Sequence, residues 1–301
     1  MRENESLHVT MKNRGTKMTA KSVPLFQKAR LQESKVTRMI VDCHTHIQCP
    51  AKEFSRTEHV AAAEALKACI VLGLPAAEER DNSAVNKALS EYVNSHRPKM
   101  VGFAVVDPLR DKIGHKSVKT LPENLKLKGC VLYCCECGFH PTHSRAMRFY
   151  ESAEQLGLPV FFHNAPPFSP GAIFDYARPY LLDEIARTFG SLKIIIGQMG
   201  KPFIEQALSM VGKHENVYAD LTIQPDNLWQ TYNTVVAAHE QGVMDKLLFG
   251  SGFPYAQPGA CIERLLGLNK ILGDTNLPTI PQSRIRGIVE RDSLTVLGIN
   301  T

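Results

Sequence analysis

Short runs of apolar and β-branched residues recur along the chain, separated by longer stretches in which apolar positions return every three or four residues. Short apolar runs bounded by polar or turn-forming residues are typical of buried β-strands. Eight such runs follow residue 38, and we interpret each as a strand: residues 39–43, 69–72, 100–106, 130–133, 159–162, 193–197, 217–221 and 246–249.

The stretches between these runs predict amphipathic helices at residues 57–67, 82–95, 144–156, 180–189, 202–213, 226–240 and 258–272. Three of them begin at residues that favour the N-cap position, namely Thr57, Ser144 and Asp226. Three are followed by a glycine where a helix should end, at positions 157, 190 and 242. These signals support helices between the strands.

A strand followed by a helix, repeated along about 260 residues, predicts a parallel sheet. The simplest closed form of eight such units is the α/β fold called the (β/α)8 TIM barrel. A doubly wound open sheet remains the alternative, because alternation alone does not show whether the sheet closes. We therefore expect one barrel domain over residues 39–301.

The composition of the chain, 44% hydrophobic and 22% charged, is that of a globular protein. No apolar run approaches the roughly 18 to 20 residues that a transmembrane helix needs, which argues against a membrane protein. The net charge of +5 arises in residues 1–38, where nine basic residues face three acidic ones. The barrel is therefore close to neutral and has no electrostatic reason to bind nucleic acid. A small-molecule partner is expected, and a homo-oligomer is left open.

Residues 1–38 lack both apolar periodicity and the apolar core of a signal peptide. We expect them to form a disordered basic tail, with Met39 as the functional start of the protein. Eight cysteines in so long a chain do not form a disulfide framework, which is typical of short secreted domains. Free thiols and the absence of a secretory signal predict a cytoplasmic protein.

The strongest chemical signal is the pair His44 and His46, placed directly after the first predicted strand. Residues two apart in an extended segment point the same way, so both imidazoles can bind one metal ion. His163 ends the fifth predicted strand. In a barrel, the carboxyl ends of strands one and five open on the same face, and this places His163 with the pair.

Four segments together resemble the amidohydrolase superfamily, within it the amidohydrolase-related branch that includes aminocarboxymuconate-semialdehyde decarboxylase. They are residues 40–46, 157–163, 193–200 and 246–254. The resemblance implies a barrel with one divalent metal ion, commonly zinc, at its C-terminal mouth. It also implies that His44, His46 and His163 are the metal ligands. The position of the bridging lysine of some relatives falls near Val131, so no second metal is expected.

Two positions depart from the pattern of this family. After strand six the family has a histidine that acts as acid or base, where this chain has Gln198; after strand eight it has an aspartate, where this chain has Gly252. A glutamine amide orients groups but does not accept a proton at neutral pH. Asp220 is our first candidate for a substitute carboxylate and Glu136 the second, although Asp220 would serve equally in a structural hydrogen bond.

Two functional hypotheses follow from these residues. The first is a metal-dependent hydrolase or decarboxylase that acts on a small cyclic or carboxylate-bearing substrate, with Gln198 and Asp220 as catalytic residues. Decarboxylation remains an alternative to hydrolysis because it needs less proton transfer at the metal than hydrolysis does. The second is a catalytically degenerate barrel that binds a small molecule or a protein partner, since a fold alone does not establish catalysis.

Overall fold

The computed structural model describes residues 39–47, 56–76, 81–164 and 168–300. The predicted disordered tail, residues 1–38, lies outside the described residues. Eight strands are present in the described part, each beginning within one residue or two of a predicted strand. They are β1 (Val41–Thr45), β2 (Ala68–Leu72), β3 (Met100–Val105), β4 (Gly129–Leu132), β5 (Val160–Phe162), β6 (Ile194–Ile196), β7 (Val217–Thr222) and β8 (Leu247–Gly250).

The eight strands form one parallel sheet in chain order, from β1 to β8. The two outer strands then meet. Thr45, at the end of β1, pairs in parallel with Phe253, which follows β8. The His46 N–H donates to the Phe253 carbonyl at 2.9 Å, and the Gly252 N–H donates to the His44 carbonyl at 2.9 Å. These contacts close the sheet, confirm the predicted (β/α)8 TIM barrel and exclude the open doubly wound alternative.

The side chain of Asp42 also stabilises the closure of the barrel. Its Oδ1 accepts hydrogen bonds from the Ser251 N–H at 2.9 Å and from the His44 N–H at 3.1 Å. Burial raises the pKa of the Asp42 carboxyl to about 6, although the bonds from Ser251 and His44 act in the opposite direction. A carboxylate on β1 therefore holds the loop after β8 against the start of the barrel.

Helices follow the strands around the outside of the barrel. Their bounds are α1 (Arg56–Ala62), α2 (Ser83–Ser95), α3 (His115–Glu123), α4 (Cys134–Cys137), α5 (Ser144–Gln155), α6 (Asp183–Thr188), α7 (Ile204–Lys213), α8 (Leu228–Glu240), α9 (Pro258–Leu266), α10 (Gln282–Val289) and α11 (Ser293–Val296). Among the residues described, no helix combines the length and apolar composition needed to cross a bilayer.

The N-cap predictions were displaced by about one residue. His143, and not Ser144, caps α5, where its Nδ1 accepts a hydrogen bond from the Arg145 N–H at 3.2 Å. The helix predicted from Asp226 begins at Leu228, with Asn227 as its N-cap. Thr57 lies inside the first turn of α1. Four short helices were missed: α3, whose pattern Pro122 interrupts, α4, and the C-terminal α10 and α11.

Two clusters of buried apolar side chains stabilise the fold. The larger one lies between the strands and the surrounding helices. The smaller one fills the barrel with alternate residues of successive strands, including Phe103, Val131, Phe161, Ile195 and Leu248. Because side chains alternate across a strand, Phe161 inside the barrel is followed two residues later by His163 at the end of β5. On β1 the pairing with β2 shifts register between Asp42 and Thr45, and His44 follows the inward-facing Cys43 directly.

Candidate metal centre

Three histidines converge at the carboxyl ends of β1 and β5. The Nε2 atom of His44 lies 3.2 Å from Nε2 of His46 and 3.1 Å from Nε2 of His163. All three side chains are buried, and their nitrogen atoms all lie within 4.8 Å of one another. The structure therefore brings together the three residues that the sequence singled out, although they lie up to 119 positions apart.

The hydrogen bonds at Nδ1 of His44 and of His46 indicate which nitrogen of each ring carries the proton. Nδ1 of His46 lies 3.1 Å from the Leu72 carbonyl, which can only accept, so this nitrogen carries the proton. Nδ1 of His44 lies 2.6 Å from Oδ2 of Asp220 and likewise donates. In the neutral form of each ring, Nε2 is then the unprotonated nitrogen, as a metal-binding imidazole requires.

Two unprotonated nitrogens 3.2 Å apart cannot form a hydrogen bond with each other, and their lone pairs repel. A cation between them converts this repulsion into coordination. In a tetrahedral site with metal–nitrogen distances of about 2.0 to 2.1 Å, neighbouring ligand nitrogens lie about 3.3 Å apart. The distances from Nε2 of His44 to Nε2 of His46 and of His163, 3.2 Å and 3.1 Å, are close to that value, so the residues present fit a divalent metal ion.

Burial also favours the neutral imidazoles of His46 and His163. Desolvation and the neighbouring His44 lower the pKa of His46 to about 3, and desolvation lowers the pKa of His163 well below its usual value. Neutral imidazoles bind a metal ion without first losing a proton. Within the described ranges, these three histidines form the one group of potential ligand side chains with such spacing.

Asp220, on β7, lies behind His44 as seen from the converging nitrogens. Its carboxylate is fully buried, and Oδ2 accepts from His44 Nδ1, from the Thr222 hydroxyl at 2.6 Å and from the Gln198 N–H at 3.1 Å. A carboxylate on the outer nitrogen of a metal-binding histidine orients the ring and raises its basicity. Glu136, the second candidate, is exposed, bonds to Ser169 and does not join the site.

The comparisons with known proteins agree with this geometry. A family model described as "Amidohydrolase" matches residues 41–280, well over half of the chain. The chain belongs to the amidohydrolase family. No curated protein sequence matches it.

Solved structures of similar fold include decarboxylases and a hydrolase. 5-Carboxyvanillate decarboxylase LigW from Sphingomonas paucimobilis has a TM-score of 0.64 at 11% identity, over 87% of this chain and 100% of that one. A dihydroxybenzoic acid decarboxylase from Polaromonas sp. JS666, with bound manganese and the inhibitor 2-nitroresorcinol, has a TM-score of 0.59 at 14% identity, over 88% and 98%. A probable 2-pyrone-4,6-dicarboxylic acid hydrolase from Acinetobacter baumannii, with citric acid bound, has a TM-score of 0.61 at 14% identity, over 86% and 99%. At these identities the likeness shows the fold alone.

Gln198 and Gly252, the two positions at which this member of the amidohydrolase family departs from the family pattern, lie at the mouth of the barrel. Gln198 directly follows β6 in a tight turn in which it, Met199 and Gly200 have positive φ angles of 48°, 55° and 63°. The Gln198 side chain is buried, and its Oε1 accepts no hydrogen bond from the described residues. Gly252 has a φ of 68° and contacts His44 through its N–H. Neither side chain offers a proton acceptor for hydrolysis.

Sequence reasoning missed three residues around this centre. Thr222 donates to Asp220, and Tyr133 packs its ring against His163 with 4.5 Å between the ring centroids. Lys201 follows the turn after β6 and is half-buried, and its ammonium group forms no hydrogen bond or ion pair within the described residues. Burial lowers the pKa of Lys201, and the nearby Asp220 carboxylate acts in the opposite direction. A lysine three residues after Gln198, at a strand end, was a signal that the sequence already contained.

Proposed function

We propose that this member of the amidohydrolase family is a metal-dependent enzyme that decarboxylates a small cyclic, carboxylate-bearing substrate. The observation that carries the proposal is the convergence of three histidine Nε2 atoms, two of which are held unprotonated by hydrogen bonds at Nδ1. His44, His46 and His163 would hold one divalent ion, and we propose zinc, since three imidazoles suit it. The metal would polarise a substrate oxygen and stabilise developing negative charge.

The residues beside the histidines favour decarboxylation over hydrolysis. Hydrolysis needs a group that takes a proton from the attacking water, and neither Gln198 nor Gly252 provides one. Decarboxylation deprotonates no water: the bond between the carboxylate and the ring carbon breaks, carbon dioxide leaves, and one proton supplied by solvent takes its place on that carbon. The Gln198 amide can orient a substrate oxygen, and the half-buried Lys201 ammonium can bind a carboxylate group. Hydrolysis of a cyclic ester or amide by the same site is the alternative within this proposal.

A turnover assay with metal analysis tests the proposal. Purified protein is stripped with a chelator, reloaded with Zn²⁺ or Mn²⁺, and incubated with a panel of hydroxybenzoic acids, pyrone carboxylic acids and lactones. Release of carbon dioxide that depends on one bound metal per chain is the expected result. His163→Ala should lose both bound metal and turnover, whereas His115→Ala, which changes an exposed histidine at the start of α3, should keep both. Turnover that survives complete removal of metal would contradict the proposal.

A barrel that binds a small molecule without converting it is the second candidate. Gly252 and Gln198 favour it, because the family's two proton-transferring side chains are absent from the mouth of this barrel. Calorimetry with the same panel separates the two functions. Saturable binding of a carboxylic acid with no turnover under any metal would support the binding protein and reject the enzyme.

Three further proposals concern the compartment of the protein, its partners and its first 38 residues. We propose that the protein works in the reducing cytoplasm, which is supported by seven free cysteines among the described residues. We propose small molecules as its partners in place of nucleic acid, because the charge excess lies in residues 1–38 and not in the barrel.

A chain that starts at Met39 should then melt within a few degrees of the full chain. A large loss of stability would show that the first 38 residues pack on the barrel.

A further inference from the structure

Asp220 and His44 touch across a strand that lies between them. His44 is on β1 and Asp220 on β7, and in the closed barrel β8 separates these two strands. Inward-facing side chains of alternate strands share one layer of a TIM barrel, so residues of β1 and β7 meet where β8 leaves room between them. The 2.6 Å contact between His44 Nδ1 and Asp220 Oδ2 therefore depends on an opening at the inner face of β8.

Gly250, the last residue of β8, provides that opening. A Cβ atom at this position would lie 2.2 Å from Oδ1 of Asp220 and 2.9 Å from Cβ of His44. Both distances are too short for real Cβ contacts, so any side chain would displace the carboxylate, the imidazole or both. The φ angle of Gly250 is not positive, unlike that of Gly252, so its backbone conformation does not demand glycine. The space that Asp220 occupies demands it.

The carboxylate is held in this opening by donors from two further positions. Oδ2 accepts from the Thr222 hydroxyl and from the Gln198 N–H. A backbone N–H can only donate, so Oδ2 is the acceptor in that bond, and when the carboxylate is ionised the proton of the short contact belongs to Nδ1 of His44. A neutral imidazole with its proton on Nδ1 has its lone pair on Nε2, the atom that faces His46 and His163.

We propose that Asp220 is a positioning residue that reaches His44 through the gap at Gly250 and fixes the tautomer that presents Nε2 to the metal. Asp220 thereby serves the metal from behind a ligand and is not itself a ligand. The importance of the proposal for catalysis rests on the proposed function, but the tautomer of His44 does not. Removing such a partner of a metal-binding histidine typically weakens metal affinity by about 10- to 100-fold.

A double-mutant cycle on the full chain tests the proposal through Zn²⁺ affinity, measured by competition with a chelator. Gly250→Ala and Asp220→Ala should each weaken binding by about 10- to 100-fold. Gly250→Ala should cause a smaller loss when Asp220 is already alanine, because the 2.2 Å clash with Oδ1 is then absent and only the 2.9 Å approach to Cβ of His44 remains. Gly102→Ala on β3, where a Cβ would lie 2.5 Å from Leu127, is the matched control: it crowds the barrel equally and should leave Zn²⁺ affinity unchanged.

Nitrogen-15 NMR of the metal-free protein, labelled at histidine, reports the tautomer directly. Wild type should show His44 protonated at Nδ1 alone, and both variants should show a shift toward protonation at Nε2, which Thr222→Val should complete in the Asp220→Ala background by removing the hydroxyl 3.0 Å from Nδ1. Asp220→Leu, which offers no acceptor at similar size, serves if Gly250→Ala does not fold, and it should shift the tautomer in the same direction.

Two results would overturn the proposal: an unchanged His44 tautomer without Asp220, or an equal loss from Gly250→Ala in both backgrounds of the cycle. If the wild-type protein binds no Zn²⁺, the proposed function fails, while the NMR measurement on metal-free protein still decides this inference.

Discussion

Stabilisation by a metal ion is the most direct consequence of the three converging histidines. The folded protein presents His44, His46 and His163 as one preformed site, whereas the unfolded chain separates His163 from the pair by more than a hundred residues. A ligand that binds only the folded state stabilises it by RT ln(1 + [L]/Kd). Zn²⁺ should therefore raise the melting temperature of chelator-stripped protein.

The size of the effect follows from the site and from the length of the barrel. At a free Zn²⁺ concentration one hundred times the dissociation constant, the gain in the free energy of unfolding is about 2.7 kcal/mol. For a unit that spans Arg38–Thr301, the entropy of unfolding is about 0.55 kcal/mol per kelvin. The expected rise in the melting temperature is then about 5 °C, and each further tenfold in metal concentration adds roughly 2 to 3 °C.

Differential scanning fluorimetry over a series of buffered Zn²⁺ concentrations measures this shift. His163→Ala should shift by less than about 1 °C at the same concentrations, because it removes one of three ligands. His115→Ala controls for adventitious binding at exposed histidines and should shift as wild type does. Equal shifts in His163→Ala and wild type would refute the reasoning, since the metal would then bind somewhere else.

Three further outcomes are expected. Gly252→Ala should lower the free energy of urea unfolding by about 1 to 3 kcal/mol, because residue 252 has a φ of 68° and its Cβ would lie 2.9 Å from Cγ2 of Thr222; no change would show that the loop relaxes freely. Gln198→His should raise kcat/KM for lactone hydrolysis, since a missing general base typically costs about 10²- to 10⁴-fold, and an unchanged rate would place proton transfer elsewhere. Asp183→Asn should cost about 1 kcal/mol at pH 7. Hydrogen bonds from Lys213 and His214 lower the pKa of Asp183, so its contribution is present above pH 4 and decreases as the pH falls further. Chemical denaturation at pH 7 and pH 2 should show a smaller difference between wild type and variant at pH 2.

The order of strands and helices could be predicted from the sequence because it is a local property. A buried parallel strand is a short apolar run, and a helix over a sheet has apolar residues every three or four positions, whatever the rest of the chain does. Helix ends were less predictable: His143 caps α5 in place of Ser144, because a ring nitrogen satisfied the same orphan N–H group that a serine hydroxyl would have satisfied.

Closure of the barrel depended on contacts that no local pattern contains. Alternating strands and helices fit an open sheet as well as a closed one. The pairing of Thr45 with Phe253 and the bond from Ser251 to Asp42 decide between them, and both join residues more than 200 positions apart.

The candidate site divides in the same way between local pattern and tertiary structure. The sequence by itself determined which imidazoles converge, because His44, His46 and His163 stand at strand ends and parallel strands in a barrel end on one face. Only the tertiary structure decided the place of Asp220. Its contact with His44 depends on the absence of a side chain at Gly250, on the strand between them, and such a gap has no signature in the residues that it brings together.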